Sequence, residues 1–252
     1  SYVISSTLVA DLDTPVSAML RIGENEPFSF LLESVEGGDS KGRYSIIGLQ
    51  PDLIWRCYGN KAEINYNPSK SLNKFKLDNK STLKSIRALV ESSKINLPEY
   101  LPPMASGLVG YFGFDTIKLI ENIPSNNPNT LKLPDGMFVR PKVMIIFDAV
   151  EDTMTIITPV FLKNSEDNNY EKLYKESCKI IKNIINLLKQ PIENKNLKNK
   201  FTTKSTKIKS NFKKSDYLKI IKKAKKYIKA GDIFQVVPSQ RFEIPFSLAP
   251  FN

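Results

Sequence analysis

Gln235, Ser239, Gln240 and Arg241 sit within one motif, Ala230-Gly-Asp-Ile-Phe-Gln-Val-Val-Pro-Ser-Gln-Arg-Phe242, the most distinctive polar grouping in the chain. Gln235 is a neutral amide with no titrating group near pH 7, so no acid-base step can start from it. A second grouping spans two apolar runs: Leu32, Glu33 and Ser34 close the first, and Arg43, Tyr44 and Ser45 open the next. A serine at a strand end commonly satisfies a turn amide through its hydroxyl, and Glu33 either faces solvent or pairs with Arg43. Histidine is absent from all 252 residues. A Ser-His-Asp triad, a His-Glu-x-x-His zinc site and an imidazole base are therefore excluded within this stretch. Cys57 and Cys178, the two thiols, read as buried, reduced core residues. Two glycine-rich places mimic phosphate loops without meeting their rules. Gly107-x-x-Gly110-x-x-Gly113 lacks the dinucleotide spacing, and Gly37 to Gly42 lacks the Gly-Lys-Ser/Thr ending and the following helix, which leaves a hairpin loop.

The elements that position these residues follow from periodicity. Asp13-Thr14-Pro15 reads as an N-cap and first-turn proline opening a helix to about Ile22. Strands are expected at about 28–33, 44–49, 53–58 and 61–66, the last two joined by Gly59-Asn60, which makes an antiparallel meander. A helix runs from Ser81 to Ile95 with Leu83, Ile86, Leu89 and Val90 inward, and a strand from Leu108 to Phe112, whose Tyr111 and Phe112, with Phe114, belong to the core. A hairpin follows, Met137 to Ala149 and Thr153 to Phe161, turning at Glu151-Asp152. A helix over 166–189 carries Tyr170, Tyr174, Cys178, Ile181, Ile185 and Leu188 on its apolar face. Residues 191–214 are polar, rich in lysine and asparagine and without an apolar period, so they mark a linker between domains 1–190 and 215–252. Ser215 then caps a helix with Tyr217, Ile220, Ile221, Ala224 and Ile228 inward and Gly231 as its stop. Ile233 to Phe242 reads as a strand with Pro238 at an edge or bulge. The fold class is α+β, mostly antiparallel sheets with flanking helices.

The net charge of +11 is the property of one segment. Residues 194–230 hold fourteen lysines against one acid, Asp216, more than the surplus of the whole chain. Nucleic-acid binding is disfavoured, because the run has no arginine, few aromatics to stack on bases, and lysines on the outer face of an amphipathic helix. Apolar runs such as Val143 to Phe147 are far too short to span a membrane, and no signal peptide opens the chain. A cytoplasmic protein is expected.

The motif around Gln235 resembles the opening of the chorismate-binding domain shared by anthranilate synthase component I, aminodeoxychorismate synthase component I and the isochorismate synthases. Asp232-Ile-Phe-Gln-Val-Val237 is similar to the anthranilate synthase wording. Two further stretches resemble the same family in the same order: Phe28-Ser-Phe-Leu-Leu-Glu-Ser34 with Gly42-Arg-Tyr-Ser-Ile-Ile-Gly48, and Gly107-Leu-Val-Gly-Tyr-Phe-Gly-Phe-Asp115 with Leu133-Pro-Asp-Gly-Met137 and Phe147-Asp148.

The resemblance implies conversion of chorismate and ammonia to anthranilate and pyruvate, with magnesium at the ring carboxylate and a glutamine amidotransferase subunit releasing the ammonia. Isochorismate synthases place a water-activating lysine where this chain has Gln235, which makes Gln235 the candidate catalytic position. The family binds its inhibitor, L-tryptophan, at the element matched by Leu32, Glu33 and Ser34, with Arg43, Tyr44 and Ser45 on the following strand. A hydroxyl and a neighbouring carboxylate suit the ends of a zwitterionic amino acid, and adjacent strands offer apolar walls for an indole. On this reading 1–190 is the regulatory domain and 215–252 the start of the catalytic one. The chain is then a piece of a longer protein whose metal ligands lie beyond Asn252. Aminodeoxychorismate synthase component I and a stand-alone amino-acid-binding regulatory domain are the alternatives.

Overall fold

Two long strands lie side by side, and a pair of prolines faces across them. The computed structural model of the chain describes residues 1–24, 26–35, 41–102, 104–124, 129–162, 169–192, 208–246 and 251, without the side chains of 34, 35 and 41. The hairpin loop from Gly37 to Gly42 lies mostly outside these residues, as do much of the linker and the start of the helix expected at 166. The chain divides into two compact units, Ser1–Glu193 and Asn194–Asn252.

In the first unit, β3 (Lys41–Tyr58) and β7 (Gly136–Asp148) run antiparallel along their lengths, with Pro51 opposite Pro141. Neither proline has an N–H to give, so the ladder cannot continue unbroken here. The register slips by one residue between Pro51 and Leu53, which leaves Asp52 as an insertion in β3. Gln50, beside it, takes a positive φ of 51°.

This irregularity separates two sets of neighbours. Before it, β3 pairs with β2 (Phe30–Val35), while β7 pairs with β8 (Thr153–Val160), which pairs with β1 (Tyr2–Val9). Beyond it, β3 pairs with β4 (Lys61–Asn65) and β4 with β5 (Lys76–Leu77), while β7 pairs with β6 (Val109–Phe112). Every pairing is antiparallel. The expected meander is thus corrected in one respect, because 44–49 and 53–58 are a single strand. β1 went unread because Ser5, Ser6 and Thr7 interrupt its apolar alternation at the sheet edge.

Three helices cover this sheet. α1 (Pro15–Ile22) is capped as expected: the Ser17 amide donates to Thr14 Oγ1 and the Thr14 amide to Ser17 Oγ, both at 3.0 Å. α3 (Tyr170–Leu188), capped by Asn169, packs on β8, β1 and α1 and buries Ile181, Ile184 and Leu188. Tyr170 and Tyr174 stay exposed. α2 (Thr82–Ser92) buries Ser85, Ile86 and Leu89 against Leu53, Trp55, Cys57, Ala62 and Ile64. Val90, expected inward, is exposed.

Residues Val143 to Phe147 are buried without interruption. Since successive strand residues point to opposite faces, both faces are covered there. One face, with Ile46, Met144, Ile146 and Ile157, packs under Leu97, Leu101 and Ala105. Among the described residues no helix is long and apolar enough to cross a membrane.

In the second unit, α4 (Lys214–Ala230) starts from Lys213 rather than Ser215, without a side-chain cap. Its end is as expected. Gly231 takes φ 82°, its amide donates to the Ile228 carbonyl and the Asp232 amide to that of Tyr227, which is the Schellman pattern. The expected strand from Ile233 shrinks to β10 (Phe242–Glu243), paired with β9 (Lys209–Ser210). β9 spans only two residues, and a strand needs a neighbour to form its ladder.

Candidate functional site

The hairpin of β2 and β3 brings most of the candidate binding residues together. Leu32 stands opposite Ile46 and Glu33 opposite Ser45. Alternation then divides them. Leu32 shares a face with Ile46, as does Tyr44, which packs against the Ile46 cluster. Glu33 and Ser45 share the other face. Ser34 lies at the irregularity between Glu33 and Val35. Among the described residues β2 has only β3 as a sheet neighbour, so its outer edge offers backbone donors and acceptors. Leu32 and Glu33 are exposed beside that edge. A ligand held by residues of both faces has to lie around this edge rather than flat on the sheet.

Arg43 enters the site from the strand end. Its guanidinium lies 5.0 Å from the Tyr44 ring centroid and donates from Nε and Nη2 to Asp148 at 3.0 and 2.7 Å. Asp148 faces Tyr44 across the β3–β7 ladder and also accepts from the Val150 amide at 3.0 Å. Hydrogen bonding from Arg43 holds the Asp148 carboxyl below the usual range, against the opposing effect of burial. The sequence flagged Phe147-Asp148 as a motif without giving Asp148 a role. Its signal was indirect, since an acid ending a buried apolar run needs a cation and turn amides as partners.

Gln235 is exposed, in the non-strand segment of the second unit. The Tyr217 hydroxyl donates to the Pro238 carbonyl at 3.0 Å, and Arg241 Nε donates to Glu243 Oε1, also at 3.0 Å. The aromatics of the glycine-rich motif are not the core residues expected. Phe112 packs edge-on against Trp55 and Phe138 yet remains 48% exposed, and Phe114 is 84% exposed. Cys57 is buried and Cys178 half-buried, both free thiols; burial pushes the Cys57 thiol up to about 11. Among the described residues no three His, Cys, Asp or Glu side chains converge as metal ligands, so the described part of the chain does not itself fit a magnesium ion.

A sequence profile described as chorismate binding enzyme matches residues 30–252. Anthranilate synthase component 1 of Cereibacter sphaeroides is 39% identical over 252 residues, covering 100% of this chain and 50% of that protein. The protein of the same name from Aquifex aeolicus is 33% identical, with 97% and 48% covered. The chain thus spans about half the length of the curated relatives it matches. The crystal structure of anthranilate synthase component I from Streptococcus pneumoniae superposes with a TM-score of 0.64 at 20% identity, over 97% of this chain and 50% of that one; this likeness concerns the fold.

Proposed function

Because this chain belongs to the chorismate binding enzyme family, we propose that it is the amino-terminal half of an anthranilate synthase component I, a cytoplasmic enzyme of tryptophan biosynthesis. The observation that carries the proposal is its 39% identity, over its whole length, to a curated relative of that name. The reaction joins ammonia to chorismate and releases anthranilate, pyruvate and water, with a glutamine amidotransferase subunit as the source of ammonia. Gln235 cannot generate hydroxide as a titratable lysine would, and the family resemblance supplies ammonia as the nucleophile instead. Magnesium would be held by residues of the half that this chain does not cover.

The β2–β3 edge is proposed as the tryptophan feedback site. Glu33 suits the ligand's ammonium group and Ser34 its polar end. Leu32 and Tyr44 offer the apolar side for an indole, and Arg43 and Ser45 line the rim. Feedback at such a site requires tryptophan to favour one conformational state over another, typically by a coupling of about 1–3 kcal/mol.

The test joins this chain at Asn252 to the remaining half of the Cereibacter sphaeroides relative and supplies chorismate, ammonium and magnesium. Fluorescent anthranilate is expected, inhibited by tryptophan, and none from the 252-residue chain alone. Aminodeoxychorismate or isochorismate as the main product would overturn the assignment.

A further inference from the structure

Glu26 and Lys142, both in the first unit, line one cavity of about 630 Å³. Neither charged group makes an ion pair or a hydrogen bond with another described residue, and they do not close on each other. The remaining charge in the lining is Asp52, already committed to two hydrogen bonds from Arg140. One anion and one cation without partners among the described residues therefore face the same space. Gln50 shares the lining and lies between the ladder pairs Leu49–Val143 and Pro51–Pro141, which also flank Lys142. Its φ of 51° is a left-handed value that glycine holds more easily, so the amide presented to the cavity comes at a cost in strain. Buried Pro51 and Pro68 supply apolar lining, and Tyr66, 58% exposed, adds a ring.

We infer that this cavity binds a free α-amino acid with an apolar side chain. The ligand's ammonium group goes to Glu26 and its carboxylate to Lys142 and the Gln50 amide, while its side chain lies against the two prolines and Tyr66. The cavity has the size of a small-molecule site, with apolar walls and a few polar groups to fix orientation. A phosphate ester fits less well, because Glu26 would repel it. A sugar would set hydroxyls against the prolines without hydrogen bonds. Glu26 precedes β2, whereas Ser34 lies near the far end of that strand. The cavity is therefore separate from the proposed feedback edge, and the inference depends neither on that edge nor on the enzyme's product.

Calorimetric titration of the 252-residue chain tests it, with L-phenylalanine and L-leucine as probes. The analogues 2-phenylethylamine and 3-phenylpropionate each keep one of the two ligand charges. L-Phenylalanine should bind, and Glu26→Gln and Lys142→Ala should each weaken it about tenfold. Both variants should melt like wild type, since neither side chain has a described partner to lose. The amine should respond to Glu26→Gln alone and the acid to Lys142→Ala alone. Absence of binding by both amino acids at about 10 mM overturns the inference, as does an affinity that neither variant changes. Binding that Ser34→Ala abolishes and these two variants leave intact belongs to the β2–β3 edge, and it overturns the inference as well.

Discussion

Arg140 grips Asp52 with two parallel hydrogen bonds, Nε to Oδ1 at 2.7 Å and Nη2 to Oδ2 at 2.8 Å, across the point where β3 slips its register against β7. The same guanidinium donates to Ser93 Oγ at 3.2 Å and lies 3.8 Å from the Phe161 ring centroid. The side chain of Arg140 is mostly buried, that of Asp52 less so. The pair thus clamps the inserted residue that the two prolines make necessary, and it holds the two halves of the sheet at one register.

Lysine cannot reproduce a two-pronged contact or stack on Phe161. Arg140→Lys should therefore cost about 1–3 kcal/mol. Asp52→Ala should cost at least as much, because it leaves a mostly buried charge without its partner. Urea unfolding followed by the fluorescence of Trp55, the chain's one tryptophan, measures both. Equal midpoints for wild type and Arg140→Lys would show that the clamp adds nothing.

A second polar relay ties α2 to the sheet. Trp55 Nε1 donates to Ser85 Oγ at 2.9 Å, and Ser85 Oγ donates to Asp78 Oδ2 at 2.6 Å. The Ser85 hydrogen bond, first among several causes, holds the Asp78 carboxyl below its usual range. A carboxylate with a depressed folded pKa stabilises fully above its unfolded value near 4, and loses that contribution as pH falls through the folded value. Asp78→Asn should thus be less stable than wild type at pH 7, with the gap closing below about pH 4. Ser85→Ala should cost about 1–3 kcal/mol by stranding the buried indole N–H. A gap that does not change with pH would deny Asp78 its charged role.

Much of this architecture was legible in the sequence, and the misses have physical causes. The α1 cap, the Gly59 turn and the Gly231 stop are local devices whose residues announce them. The hairpin of β7 and β8 was read with its turn at Glu151-Asp152. What failed was non-local. Nothing near Pro51 says that β3 continues beyond it, because its continuation is set by pairing with β7 on both sides of Pro141, ninety residues later. The strand at Ile233 was read from residue type alone, yet a strand exists only with a neighbour. The candidate binding residues were legible as a group, but their division between two faces depends on register. Asp148, which fixes Arg43, lies 105 residues away from it in sequence.

Gly110 makes a close backbone approach, in line with the rejection of a phosphate loop at this glycine-rich run. A Cβ there would stand 1.9 Å from the Met137 carbonyl oxygen and 2.7 Å from Phe138 Cα. These are backbone atoms of the paired strand and cannot rotate away. Gly110→Ala should therefore unpair β6 from β7, at about 2–4 kcal/mol. Gly107→Ala, with nothing near its added Cβ, should change stability by less than about 0.5 kcal/mol. Thermal melts of the two variants make the comparison, and equal losses would refute the packing account of the glycines.

The proposed feedback site is tested most directly at Ser34. A hydroxyl bonded to a charged end of the ligand contributes about 1.5–3 kcal/mol of binding, a roughly tenfold to hundredfold change in affinity. Its removal adds no bulk. In the joined full-length protein, Ser34→Ala should leave turnover and the chorismate KM nearly intact and raise the tryptophan concentration for half-inhibition by roughly tenfold or more. Glu33→Gln should weaken inhibition as well, since it removes the charge facing the ligand's ammonium group. If Ser34→Ala inhibits like wild type, the serine is a turn residue and the site lies elsewhere. If turnover falls in step with inhibition, the β2–β3 edge supports the catalytic half rather than regulating it.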